Sequence, residues 1–384
     1  MIEIENHPGD VPTADLVSGL NAVLGPGTYE YIATGAIGTD AIRVALIFKP
    51  AAVTPIGAYA ILDSTVDSRF LDDFNRPVLA QTFQDNTTGG IFTVAVNHLK
   101  SKGSDCNAVG DPDLGDGAGN CNLTRKAAAE ALVDWLATDP TGSGDGDFLI
   151  TGDLNSYDKE DPIDAILAGS DDTLGTGDDY TDLLLALIGE EAYSFVFDGQ
   201  LGYLDHALAN QELVPEISGV TVWHINADEP DLIDYDTTFK QPAQDALFEP
   251  NAFRSSDHDP VIVGLETCDE IAPTLEVTVT PDTLWPPDHR YVEVKATVIA
   301  SDNFDPNPTV TLVSVISNEP DDGEDDGNTV NDIVILDDFT FNLRAERSGV
   351  GTGRVYTITY QVSDACGNMT EQSATVSVPL SLGR

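Results

Sequence analysis

Seven side chains able to do chemistry stand at the ends of apolar stretches in the first two thirds of the chain. They are Glu3 in MIEIEN, His98 in VAVNHLKSKG, Asp153 and Asn155 in ITGDLNS, Asp205 in GYLDHAL, and Asp257 with His258 in SSDHDP. Each has a structural alternative: Asp153 and Asn155 suit a turn cap, and His98 suits a strand end. Together, carboxylates, an amide and two imidazoles at strand ends can converge on one rim of a sheet. Such a set suits magnesium-assisted attack of water on a phosphodiester, with a His–Asp pair deprotonating the nucleophile. Serine hydrolysis is disfavoured. There is no G-x-S-x-G elbow, and Ser256, Asp257 and His258 are chain neighbours that cannot form the hydrogen-bonded line of a triad. A P-loop and a dinucleotide fingerprint are also absent.

The elements that must position these residues read as two kinds. AIRVALIFKP (41–50), GIFTVAVNHLKS (90–101) and DFLITGDLNS (147–156) are predicted strands. Between the last two, Ala129, Leu132, Val133 and Leu136 recur at helical spacing, so a layered α/β unit is expected. From Thr274 onward only short alternating strands occur, separated by Pro, Gly and Asp turns, the grammar of a β-sandwich. The expected organisation is a catalytic domain over 1–266, a linker over 267–273 and an accessory domain over 274–384.

Composition limits the partners. The 66 acidic against 17 basic residues give a formal net charge of −49, which repels polyanions unless cations intervene. Magnesium and calcium are the natural counterions for so many carboxylates. The acidic segments 171–182 and 319–328 suit either a solvated loop or a calcium site, and neither has EF-hand spacing. No apolar run is long enough to span a membrane. Cys106 and Cys121 bracket a polar Gly/Asp-rich segment that a disulfide would close, which points to an oxidising compartment. The connectivity of Cys268 and Cys366 stays open. MIEIENHPGD has neither the basic region nor the apolar core of a secretory signal.

MIEIEN, NHLKSKG, GDLNS, YLDHAL and SDHDPV, in that order, resemble the motif series of the endonuclease/exonuclease/phosphatase superfamily, the DNase I-like fold. The run NHLKSKGSDC, GNCNLTR, GDLNSY and SDHDPV is most similar to its bacterial extracellular nuclease branch. The resemblance implies a four-layered α/β sandwich over residues 1–266 with the site along one edge of two packed sheets. It implies Glu3 and Asp257 as metal ligands for magnesium or manganese, and Asp153 and Asn155 positioning nucleophile and phosphate. It further implies His258 as general base oriented by Asp205, and His98 at the leaving oxygen. Arg43 is expected to reach a substrate phosphate, whereas His206 and Asp259 take structural readings. The superfamily's first strand, with its metal-holding Asn, should precede Glu3, so the chain reads as a fragment or a late start. LWPPDHRYVEV, SNEPD and LRAERSGVGTGRVYTITYQVSDACGN resemble hyalin-repeat-like, immunoglobulin-type modules.

The function this implies is a secreted, monomeric, divalent-metal-dependent nuclease acting on extracellular DNA or RNA, with calcium as a structural ion. Two alternatives stand beside it: a phospholipid or small-phosphoester hydrolase of the same fold, and an acidic calcium-binding adhesive protein without activity. A membrane-active version should carry an exposed aromatic hairpin, and the sequence shows none.

Overall fold

The computed structural model describes residues 3–234, 240–322, 327 and 329–381, and divides into two compact units, Met1–Thr267 and Cys268–Arg384. The first opens with β1 (Ile4–Glu5), α1 (Val11–Leu24), β2 (Glu30–Tyr31), β3 (Ile42–Arg43), β4 (Ile47–Phe48), β5 (Val53–Leu62), β6 (Arg76–Asp85) and β7 (Ile91–His98). It continues through α2 (Asn122–Leu136), β8 (Phe148–Asp153), α3 (Asp161–Leu167), β9 (Tyr180–Asp182) and α4 (Leu183–Leu187). The hairpin β10 (Phe195–Phe197) and β11 (Gln200–Gly202), then β12 (Asp205–Asn210), β13 (Ile217–Val222), the short helix α5 (Pro242–Asp245) and β14 (Val261–Leu265) follow.

A six-stranded sheet in the order β5-β6-β7-β8-β12-β9 is the scaffold. Only β7 and β8 run parallel, joined through α2, because parallel neighbours need a long crossover. Alternation along the strands sends side chains to both faces. Ala95, Ile150 and Leu208 meet Leu132 and Leu136 of α2 and Ile163 of α3 on one face. Leu149, Ala207 and Ala209 meet Leu184 and Val222 on the other. The helical stripe Ala129, Leu132, Val133 and Leu136 is buried throughout, as its spacing predicts. The second face is covered by the two-stranded pairs β1–β3, β2–β4 and β13–β14, which do not join into one sheet among the described residues.

Segment 41–50 is not one strand. Arg43 pairs across to Ile4 while Ile47 pairs with Tyr31, and Val44 and Ala45 between them are fully buried. The buried Arg43 guanidinium, at the end of the first of these short strands, pairs with Asp10.

A disulfide joins Cys106 to Cys121. The loop it closes is tied down by the fully buried Arg125 of α2, which donates to the carbonyls of Lys100, Ala118 and Asn120 and to the Ser156 hydroxyl. Closing a loop of 15 residues' separation stabilises the fold by about 3 kcal/mol in the chain-entropy picture. Replacing both cysteines by serine is therefore expected to lower the unfolding free energy of the first unit by about that amount. Urea titration of the full chain with and without reductant measures it, and the double variant should be insensitive to the reductant.

The second unit comprises β15 (Thr274–Thr280), β16 (Tyr291–Ser301), β17 (Thr309–Ser317), β18 (Ile333–Asp337), β19 (Thr340–Arg344), β20 (Arg354–Ser363) and β21 (Met369–Val378). Sheets β15-β16-β19-β18 and β17-β20-β21 enclose one core, with Val294, Phe341 and Leu343 from the first against Tyr356, Ile358, Tyr360 and Val376 from the second. The all-β reading holds, and β18 is an additional strand that sequence reading missed. Burial and then the hydrogen bond with Cys268 push the Cys366 thiol up to about 12. Part of the acidic segment 319–328, including Glu324, Asp325 and Asp326, lies outside the described residues. The carboxylates of segment 171–182 turn onto their own loop: Asp178 accepts from the Ser170 and Thr176 hydroxyls and the Asp171 N–H, and Asp179 from the Gly175 N–H. No described helix is long and apolar enough to cross a membrane.

Candidate active site

Strand register builds the site. Arg76 pairs with His98 across β6–β7, His98 with Asp153 across β7–β8, and Asp153 with Asp205 across β8–β12. Four adjacent strands thus present four chemically capable residues in one row at one end of the sheet. The Gly of GDLN is required here. Gly152 has φ 123°, and a Cβ would lie 2.1 Å from the Asn97 carbonyl oxygen, so any side chain would force β7 and β8 apart.

Just past β8 the chain turns through Asn155 at φ 48°, and the Asn155 N–H and side-chain amide donate to Asp153 at 2.7 and 2.9 Å. The same amide also donates to the Leu99 carbonyl at 3.0 Å. Asn155 as placed therefore fixes the Asp153 carboxylate and the exit of β7, and its amide hydrogens are turned inward. His98 is almost fully buried, with Nε2 3.5 Å from Asp153 Oδ2 and 3.8 Å from Glu3 Oε1. The His258 Nδ1 lies 2.6 Å from Asp205 Oδ2, which leaves Nε2 facing the cleft, 4.0 Å from Asp257 Oδ2. Glu3, Asp205, Asn226, Asp257 and His258 line this cleft, whose volume is about 620 Å³.

The electrostatics follow from crowding like charges in a poorly solvated row. Burial, then the Asp205 charge, push the Asp153 carboxyl up to about 7. Burial and the neighbouring Asp257 likewise raise Glu3. Burial alone would lower the His258 imidazolium, but the hydrogen bond and charge of Asp205, with Asp153 and Asp257, outweigh it and hold it at about 9.

Three residues unnoticed in the sequence support the pair. The Ser194 hydroxyl donates to Asp205 Oδ2 at 2.7 Å, the Phe195 ring stacks on the His258 ring at 4.6 Å, and the Asn226 amide donates to the His258 carbonyl at 2.7 Å. Only the Asp-Gly turn at 198–199 gave a sequence signal, as the apex of a hairpin carrying Phe195. That hairpin also corrects the expectation that no aromatic hairpin exists: Phe197 and Leu201 on it are 61% and 62% exposed.

Asp259 and His206 have structural roles. Asp259 accepts the N–H groups of Ile225, Asn226 and Ala227 and pairs with His224 Nδ1 at 2.9 Å, holding the loop that buttresses His258. His206 lies fully buried between Asp182 (3.2 Å) and the Ser156 carbonyl (2.8 Å).

Arg43 departs from its expected role. Its guanidinium is fully buried, ion-paired to Asp10 at 2.5 Å and hydrogen-bonded to Thr13 and Thr34, so it cannot reach a substrate phosphate. A charged residue inside a short strand reads the same whether it faces a rim or a buried partner, and the partner lies far away in sequence.

No family model matches the chain, and no curated protein matches it. Among solved structures it is similar to an endonuclease/exonuclease/phosphatase family protein from Bacteroides thetaiotaomicron, at 16% identity and a TM-score of 0.37 over 55% of this chain and 70% of that one. A mannosyl-6-phosphatase from the same species gives 16% identity and a TM-score of 0.38 over 55% and 72%. The human Nocturnin catalytic domain with bound sulfate gives 16% and 0.36 over 55% and 67%.

Proposed function

We propose that the first unit is a DNase I-like, divalent-metal-dependent phosphodiesterase acting on nucleic acid outside the cell, DNA or RNA. The second unit we read as an immunoglobulin-like accessory module. The observation that supports this reading is the strand-end row of His98, Asp153 and Asp205 with His258 docked on Asp205. In a hydrolytic step the neutral form of His258, which a cation held beside Asp257 would favour, accepts a proton from water at Nε2 as the water oxygen bonds to phosphorus. Asp205, fixed by Ser194, stabilises the resulting imidazolium. The phosphorus–oxygen bond to the leaving group breaks, and His98 supplies a hydrogen bond to the departing oxygen. The disulfide supports a secreted location.

The residues fit a hard cation. Glu3 and Asp257 face the same cleft, and Glu3 is raised by its desolvation and by Asp257, a cost that a positive ion would relieve. Among the described residues no three His, Cys, Asp or Glu groups form a closed metal cage. Magnesium or manganese would therefore be held as these ions usually are, by one or two carboxylates with water and substrate oxygens completing the shell. Bound there, the ion supplies neutralisation of the phosphate oxygens.

Supercoiled plasmid incubated with magnesium should be nicked, and excess EDTA should suppress nicking at least ~100-fold, reversed by magnesium or manganese. Calcium is added as a separate arm for a structural ion. Sphingomyelin and a phosphomonoester run in parallel, and a preference for either would overturn the nuclease reading.

A further inference from the structure

The hairpin β10–β11 meets the site through Phe195, whose ring lies against that of His258, and its outer residues take no part in the hydrolytic step. Its two-residue turn places Asp198 at φ 48° and Gly199 at φ 75°, as a tight hairpin of this hand requires. The register sets Phe195 against Gly202 and Val196 against Leu201, so Phe195 and Phe197 share one face. Gly202 seats the hairpin closely on Tyr157, since a Cβ there would come within 2.7 Å of the ring. The ring of Phe195 lies 4.6 Å from that of His258 at 29°, and the ring of Phe197 lies 6.4 Å from that of Phe195 at 19°. The three rings thus follow one another with successive tilts of 29° and 19°, and the last is 61% exposed.

We propose that Phe197 is a stacking platform for an unpaired nucleobase beside the scissile phosphodiester, so that the preferred substrate is a single strand or a frayed duplex end. The proposal rests on the phosphodiesterase reading. Phosphate neutralisation is a poor source of affinity in this chain. Against 66 acidic residues there are 17 basic ones, Arg76 of the strand-end row is committed to Asp40, and Lys102 above Tyr157 is committed to Glu160. Base stacking is the sequence-tolerant alternative, because every base offers a π-face. The same hairpin is ill suited to a bilayer. Its apex is the exposed Asp198, which would enter the apolar phase ahead of Phe197.

Equilibrium binding separates this platform from its alternatives. A fluorescent single-stranded thymidine decamer with phosphorothioate linkages and an abasic decamer of equal charge are titrated, with magnesium, into the full chain and its variants. Fluorescence anisotropy should show Phe197→Ala weakening the thymidine decamer about tenfold, with the abasic decamer unaffected and F197W restoring affinity. Equal binding of the two decamers by the wild type, or an equal loss for both in Phe197→Ala, overturns the proposal. So does a variant that loses only its binding to sphingomyelin vesicles. Hydrolysis is assayed separately, so a failed phosphodiesterase reading shows as absent cleavage while the binding contrast still decides the platform.

Discussion

His258→Ala should lower magnesium-dependent plasmid nicking by about 10²- to 10⁴-fold, the range typical of a lost general base. The loss should come without collapse of the fold. His258 sits on the loop before β14, its backbone is held from outside by Asn226, and the core strand Val261–Leu265 begins three residues later. In the variant the Asp205 carboxylate keeps the Ser194 hydroxyl as donor. Initial rates from gel densitometry give the activity, and a thermal melt of the same preparation shows whether the fold is kept. Nicking that survives at more than a few per cent of the wild-type rate, in a protein that melts normally, would sink the assignment of the base. The contrast with Asp259 is informative, because it stands next in the chain and points the other way, to the 225–227 amides and His224. Losing it should loosen the buttress rather than remove a proton acceptor.

What the chain revealed in advance depended on how local each signal was. The β7–α2–β8 unit was legible because apolar spacing of 2 and of 3.6 is written directly into 90–101 and 122–136. The convergence of His98, Asp153 and Asp205 was legible as strand-end chemistry, and the register explains why they meet. Ser194, Phe195 and Asn226 were not legible. Each touches the His258–Asp205 pair across 11 to 63 residues of chain, and none belongs to a residue type that stands out alone. Arg43 was misplaced for the same reason, since its partner Asp10 lies 33 residues away. The strand Ile333–Asp337 follows a polar acidic loop and was too short to separate from it by composition.

The row that makes the site is costly to the fold, and Asp153→Asn exposes that cost. The Asp153 side chain is 6% exposed and faces Asp205 in register, and burial with that neighbour pushes it up to about 7 in the folded protein, against 3.8 unfolded. Between those values the folded state binds a proton that the unfolded state has released, so stability falls as pH rises through this window and stays low above it. The neutral amide removes that dependence. In metal-free protein the asparagine variant should gain on the wild type by about 4 kcal/mol between pH 4 and pH 8, roughly 1.4 kcal/mol for each pH unit between the two pKa values, while the imperfect fit of an amide beside Asn155 is a constant cost at every pH. Asn155 still finds an acceptor for its N–H, so the turn should persist. Activity should move oppositely, falling about 10²–10³-fold, because His98 loses the anion 3.5 Å from its Nε2 and the row loses charge that the cation and the water must sense. Melts across pH in EDTA, beside nicking rates in magnesium, test both halves. If the variant shows no relative gain with pH, the carboxylate is not strained by its burial. If it gains stability and keeps its activity, Asp153 is a structural turn residue and the row is not the catalytic element.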